Sequence, residues 1–64
     1  MDKVFKLAER VKYDAIDVIK DYKNKHITQD FMDGCLASSG VFLDFITELW
    51  DVNLTDYYVE YVEE

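Results

Sequence analysis

Apolar residues recur at alternating spacings of four and three through the first third of the chain. This spacing keeps them on one side of a helix with 3.6 residues per turn. The pattern therefore predicts a long amphipathic helix from Asp2 to about Lys23. Its apolar side comprises Val4, Ala8, Val11, Ala15, Val18 and Tyr22, widened by Leu7, Ile16 and Ile19.

The polar run that follows predicts the end of this helix and the start of another. Lysines on both sides of Asn24 suit the negative C-terminal pole of a helix, and Asn24 can adopt a left-handed backbone conformation. Thr28 is a suitable N-cap, and Asp30 suits the positive pole of the next first turn. A second helix is therefore predicted to begin just after Thr28.

Small residues between Gly34 and Gly40 leave two alternatives for this second helix. Glycine and serine either interrupt a helix or let another helix approach closely. The favoured prediction is a break near Ser39, with a serine capping a new helix. The alternative is one continuous helix from about Gln29 to Val52.

The segment Val41 to Val52 is strongly amphipathic. One side carries Phe42, Phe45, Ile46 and Leu49, and the other carries Asp44, Thr47, Glu48 and Asp51. Trp50 stands at the end of the apolar side, where a single tryptophan in a small domain is expected to be buried. The segment is predicted to be helical, with Trp50 favoured in the core and an exposed anchor for a partner as the alternative.

Beyond Asn53, which is a plausible helix stop, the pattern favours one more helix capped by Thr55. A strand over residues 56–63 is the alternative, but its period of two would place Glu60 on the same face as Tyr58 and Val62. The sequence thus predicts an all-α fold. It is a compact bundle of three or four helices in a single domain, residues 1–64, with the long N-terminal helix packed against shorter acidic helices.

Composition limits the class of protein. Half of the 64 residues are apolar and 16% are aromatic, which argues against disorder. A chain of this length buries only about 60% of its unfolded surface, so a second copy could complete its core. One cysteine permits no internal disulfide, and no apolar run is long enough for a signal peptide or a membrane span. A cytoplasmic protein without membrane contact is expected.

Charge is distributed very unevenly along the chain. All seven Lys and Arg residues lie within the first 25 positions, whereas nine carboxylates and no Lys or Arg follow Ile27. Such a field repels nucleic acid and attracts basic partners. On the two predicted helices the carboxylates collect into stripes, which are the candidate partner-binding residues: Asp44, Glu48 and Asp51 on one, and Asp56, Glu60, Glu63 and Glu64 on the other.

Catalytic and metal-binding patterns are missing from the sequence. Cys35 and His26 are the only thiol and imidazole, and a catalytic pair would also need an orienting group and a cleft. One Cys and one His do not make a zinc pattern. We therefore expect a protein that is not an enzyme and has no cofactor or metal.

These observations favour a small acidic binding protein that inhibits or modulates a partner through that partner's basic surface. Its concrete form is a nucleic-acid mimic, by analogy in charge and size with small acidic phage inhibitors and immunity proteins. The alternative is a structural or assembly protein, a helical homodimer formed around Gly34–Gly40, in which the acidic face only keeps the protein soluble. Salt dependence separates the two, because only charge-steered binding weakens steeply with ionic strength.

Overall fold

The computed structural model describes residues 2–62 and shows two long antiparallel helices followed by a short C-terminal segment. Helix α1 spans Asp2–Lys23, helix α2 spans Gln29–Trp50, and a 3-10 turn spans Thr55–Tyr57. Residues 58–62 belong to neither a helix nor a strand. The all-α prediction is confirmed for the described part of the chain, which contains no strand. The bundle of three or four helices is not observed, since only two long helices form.

Helix α1 has the predicted bounds and ends in a hydrogen-bonded motif. The His26 amide donates to the Asp21 carbonyl at 2.9 Å, and the Lys25 amide donates to the Tyr22 carbonyl at 3.0 Å. These two bonds define a Schellman motif, whose C′ residue adopts the left-handed conformation. That residue is Lys25, with φ 63°, and not Asn24 as predicted.

Thr28 is the N-cap of α2, as predicted. Its backbone is extended, with φ −80° and ψ 161°. Its hydroxyl oxygen accepts a hydrogen bond from the Phe31 amide at 3.2 Å. One of the amides left without a partner at the start of the helix is thereby satisfied.

Helix α2 continues without interruption through the small residues, so the predicted break near Ser39 is wrong. The Ser39 hydroxyl donates to the Cys35 carbonyl at 3.0 Å, one turn earlier, and so is satisfied inside the helix. A continuous helix also keeps Met32, Leu43 and Ile46 on the side that is buried against α1. Burial of these three side chains outweighs the modest cost of glycine within a helix.

The predicted last helix does not form. Asp51 ends α2 in a left-handed conformation, with φ 51°. The Asn53 side-chain oxygen then accepts hydrogen bonds from the Thr55 amide and hydroxyl, at 3.0 and 2.6 Å. Only the 3-10 turn follows, and Tyr58 is already extended, with φ −76° and ψ 131°. Burial of Val52 and Leu54 directs this segment back over the helices.

The main hydrophobic core lies between the start of α1, the end of α2 and the C-terminal segment. It contains Val4, Ala8, Leu43, Ile46, Val52 and Leu54, with Val11 and Tyr57 packed against it. Contact between the first turns of α1 and the last turns of α2 establishes the antiparallel arrangement. The prediction of a buried tryptophan is wrong, because Trp50 is 49% exposed.

Candidate interaction surfaces

Helix α2 has three sides of different chemistry. At 100° per residue, the buried Met32, Leu43 and Ile46 define the side that faces α1. A second side carries carboxylates, and a third carries large apolar side chains that are exposed. We call the second side the acidic face of α2 and the third side the apolar face of α2. The apolar face carries Phe31, Phe42, Phe45 and Leu49.

The acidic face consists of carboxylates within an arc of roughly 60° around the helix. Asp30 and Glu48 are 18 residues apart, which is five full turns, so they share one direction. This alignment exists only because α2 is continuous. The members of the face are Asp30, Asp33, Asp44 and Glu48 of α2 and Asp51, its C-cap residue, all of them exposed.

Two members of this face, Asp30 and Asp33, were missed as candidate binding residues. The sequence contains their signal, because both continue the spacing of the later carboxylates at helical period. The predicted break near Ser39 concealed this relation, because a break leaves no fixed angle between the part of the helix before Ser39 and the part after it. The candidates Asp44, Glu48 and Asp51 do lie on the face as expected.

The other candidate binding residues are not brought into a helical stripe. Asp56 lies in the 3-10 turn and Glu60 in the irregular segment, and both are exposed. Because this segment is not helical, the predicted second acidic face does not form within residues 2–62. Glu63 and Glu64 lie outside the described residues.

The cations of α1 do not neutralise the acidic face. Within residues 2–62, the only basic side chain within salt-bridge distance of a carboxylate is His26, whose Nδ1 lies 3.9 Å from Asp21 Oδ1. Residues 1–25 carry seven bases and five acids, a net charge of +2, against −9 for residues 27–64. Most of the negative field therefore points into solvent.

One carboxylate of the acidic face also holds the C-terminal segment. The Tyr58 hydroxyl donates a hydrogen bond to Asp44 Oδ1. This bond raises the pKa of the Tyr58 hydroxyl above its ordinary value of 10.0, because the nearby carboxylate favours the protonated phenol. Two aromatic contacts hold the same segment against α1: Phe5 with Tyr57 at 6.4 Å and Tyr22 with Tyr61 at 5.3 Å between ring centroids.

Replacing Tyr58 with Phe should loosen the C-terminal segment at neutral pH and leave the helices intact. Because the pKa of Tyr58 is raised in the folded state, the hydrogen bond stabilises the segment below pH 10. This stabilisation is lost as the pH rises through the folded-state pKa. Ultraviolet absorbance titration of wild type minus Tyr58→Phe should show one phenol ionising above its ordinary range. Limited proteolysis within residues 58–61 should be faster in the variant. A difference curve centred at or below pH 10 would contradict the assignment.

The apolar face of α2 exposes an unusual amount of hydrophobic surface. Phe31 and Phe45 are each 59% exposed and Leu49 is 73% exposed, while Phe42 is 43% exposed. Ser38 separates two shallow depressions on this face. One is about 540 Å³ and is lined by Asp30, Phe31, Gly34, Cys35 and Ser38. The other is about 340 Å³ and is lined by Ala37, Ser38, Val41, Phe42 and Phe45.

The described residues offer little for catalysis or metal binding. Cys35 is a half-buried free thiol on the edge of the apolar face, and His26 lies exposed in the loop before α2. Across residues 2–62, no group of three or more His, Cys, Asp or Glu side chains is arranged to hold a metal ion. Neither helix has the length and apolar character needed to cross a membrane.

Comparison with protein-family models, with curated proteins and with solved structures finds no significant match to this chain. The two exposed faces of α2 are therefore the basis for a function. The acidic face is open and uncompensated, and it consists of two groups of carboxylates, one near each end of α2, that point in the same direction. The apolar face is open and separated from it by roughly a third of a turn.

Proposed function

We propose that this protein is a non-catalytic binding protein whose acidic face engages the basic surface of another protein and thereby inhibits or modulates it. The observation that carries the proposal is the alignment of five exposed carboxylates along one side of α2 with no Lys or Arg paired to them within residues 2–62. An unpaired field of this kind accelerates encounter with a positively charged surface.

A nucleic-acid-binding surface is the class of partner that this face fits best. Neighbouring carboxylates within each half of the face are three or four residues apart, which corresponds to a rise of about 4.5 to 6 Å. These spacings are comparable with those between charges along a nucleic-acid backbone. Lysines and arginines arranged to bind phosphates can therefore contact the carboxylates of α2.

Affinity capture from cells of the native host, with identification by mass spectrometry, tests this function. The immobilised protein should retain a basic protein at low salt and release it as salt rises, because the attraction is screened. Added double-stranded DNA should compete for that protein if its nucleic-acid-binding surface is the one occupied. Retention that is indifferent to both salt and DNA would contradict the proposal.

The alternative function, a structural homodimer with an acidic face that only maintains solubility, uses the apolar face. It is distinguished by its response to salt, since burial of apolar surface is not weakened by screening. In that case neutralising the acidic face would not weaken the association of one copy with another.

A further inference from the structure

The two helices form a groove on each of their two sides, and the C-terminal segment covers only one of them. The covered side is marked by Phe5 of α1 and Asp44 of α2, which contact Tyr57 and Tyr58. The apolar face of α2 lies on the opposite side, because Phe42 is two residues from Asp44 and so about 160° away around the helix. This second groove has no covering segment within residues 2–62.

The molecule as a whole exposes more surface than a compact protein of its mass. The accessible surface is 5087 Å², whereas a compact protein of 7.6 kDa exposes about 4,300 Å². The excess of roughly 800 Å² equals what one partner buries in a stable interface of standard size. The protein is correspondingly elongated, with extents of 37 × 18 × 16 Å.

The order of large and small residues makes this face complementary to itself. Phe31, Gly34, Cys35 and Ser38 are spaced as the four residues that surround a hole on a helix surface, and they line the larger depression. Phe42 lies on the other side of Ser38 and projects from the same face. Rotation about a two-fold axis at Ser38 places Phe42 of one copy opposite the hole of the other.

We propose that the apolar face of α2 binds a second copy of this chain, with the two α2 helices antiparallel and crossing at Ser38. Each Phe42 enters the depression formed by Phe31, Gly34, Cys35 and Ser38 of the second copy. The product is a four-helix assembly in which the two α2 helices lie at the centre. This inference gives the homodimer of the alternative function a register and an orientation, and it does not depend on the binding of a basic partner.

The antiparallel arrangement is favoured over a parallel one by packing. In a parallel pair Gly34 would face Gly34 and Phe42 would face Phe42, which leaves a void at one level and a clash at another. The antiparallel pair places Phe42 opposite Gly34 at both ends, and it brings Phe45 of one copy next to Phe31 of the other as an aromatic pair. Packing within the monomer does not require glycine at position 34, because a Cβ there would meet nothing within 4 Å. The dimer does require it, because a larger side chain would fill the depression that Phe42 enters.

Charge predicts how this dimer responds to salt. The acidic faces remain exposed, but Asp30 of one copy and Glu48 of the other come to the same edge of the interface. Like charges at this edge oppose association, and salt screens them. Dimerisation should therefore strengthen with ionic strength, opposite in sign to the binding of a basic partner.

Disulfide trapping tests the register. In a Cys35→Ala background, Ser38→Cys places the two thiols at the crossing point, within the Cα separation that a disulfide allows. Leu49→Cys, on the same exposed face, is the matched control, because the antiparallel register separates its two copies by about 33 Å along the axis. We expect covalent dimers from Ser38→Cys and none from Leu49→Cys. Dimers from Leu49→Cys, or from neither variant, would overturn the register.

Sedimentation equilibrium of the full chain tests the association itself. The wild type should approach the dimer mass at high micromolar concentration, and Phe42→Ala should weaken dimerisation about tenfold or more. Tyr13→Ala is the control, because Tyr13 is an exposed aromatic residue on the outer side of α1. Circular dichroism should show intact helices in both variants. A wild type that stays monomeric, or equal weakening by both variants, would overturn the proposal.

Discussion

Replacing Leu43 with Ala should remove a large share of the protein's free energy of unfolding. Leu43 is fully buried where the start of α1, the end of α2 and the C-terminal segment meet. Truncating a buried leucine costs about 2 to 5 kcal/mol. A domain of 64 residues has roughly 3 to 10 kcal/mol of stability in total. Urea unfolding followed by circular dichroism would measure the loss in the free energy of unfolding. A loss at the upper end of this range would leave no folded baseline in the urea titration.

Leu49→Ala is the matched control for this prediction. It makes the same chemical change six residues later in the same helix, but Leu49 is 73% exposed. Its unfolding free energy should stay within about 0.5 kcal/mol of the wild type. Both variants should be measured at low micromolar concentration, where dimerisation adds least to stability. Equal losses in the two variants would show that the core is not centred on Leu43.

Neutralising the acidic face should slow the binding of a basic partner about tenfold at low salt. The suitable variant combines Asp33→Asn, Glu48→Gln and Asp51→Asn, which removes three exposed carboxylates and adds little strain, because Asn tolerates the left-handed conformation of residue 51. It spares Asp44, which accepts the Tyr58 hydrogen bond, and Asp30, which stabilises the first turn of α2. Surface plasmon resonance with the captured partner would give the association rate.

The control for this experiment changes the same charge elsewhere. Glu9→Gln, Asp14→Asn and Asp17→Asn remove three exposed carboxylates from α1 and give the same net charge. If the acidic face of α2 is the binding surface, the α2 variant should lose more of its association rate than the α1 variant. Equal rates for the two variants would mean that only net charge matters. Rates equal to the wild type would mean that the face is merely solvated.

The same α2 variant also separates the two exposed surfaces of the protein. Removing Glu48 relieves the repulsion expected at the edge of the antiparallel dimer, so dimerisation should become tighter while partner binding becomes slower. Weakening of both dimerisation and partner binding would show that the acidic face contributes to both interactions. Sedimentation at two salt concentrations provides the comparison.

Local patterns were sufficient for α1 and for the start of α2. The apolar residues from Val4 to Tyr22 repeat at helical period without interruption, and this alone set bounds that the structure reproduces. Thr28 could be recognised as an N-cap because the cap is a contact between residues three apart. The uneven charge distribution is likewise a property of the sequence, whatever the fold.

Packing decided what the local pattern left open. Helix α2 continues past Ser39 because Met32, on one side of the small residues, and Leu43 and Ile46, on the other, bury the same side against α1. No local signal reports that burial, whereas the glycines and serines favour a break. Continuity then aligned Asp30 and Asp33 with Glu48, so the acidic face as a whole is a tertiary consequence.

The C-terminal segment shows the same division between sequence and structure. The aromatic and β-branched residues after Asn53 suit either a helix or a strand, and neither forms in residues 58–62. Their conformation is set by Leu54 in the core and by the contacts of Tyr57, Tyr58 and Tyr61 with the two helices. The sequence by itself determined the helical class and the first helix, because these depend on neighbours within a turn, and the acidic surplus, because it follows from composition. The tertiary structure alone decided which faces of α2 stay exposed, because burial depends on residues far apart in the chain.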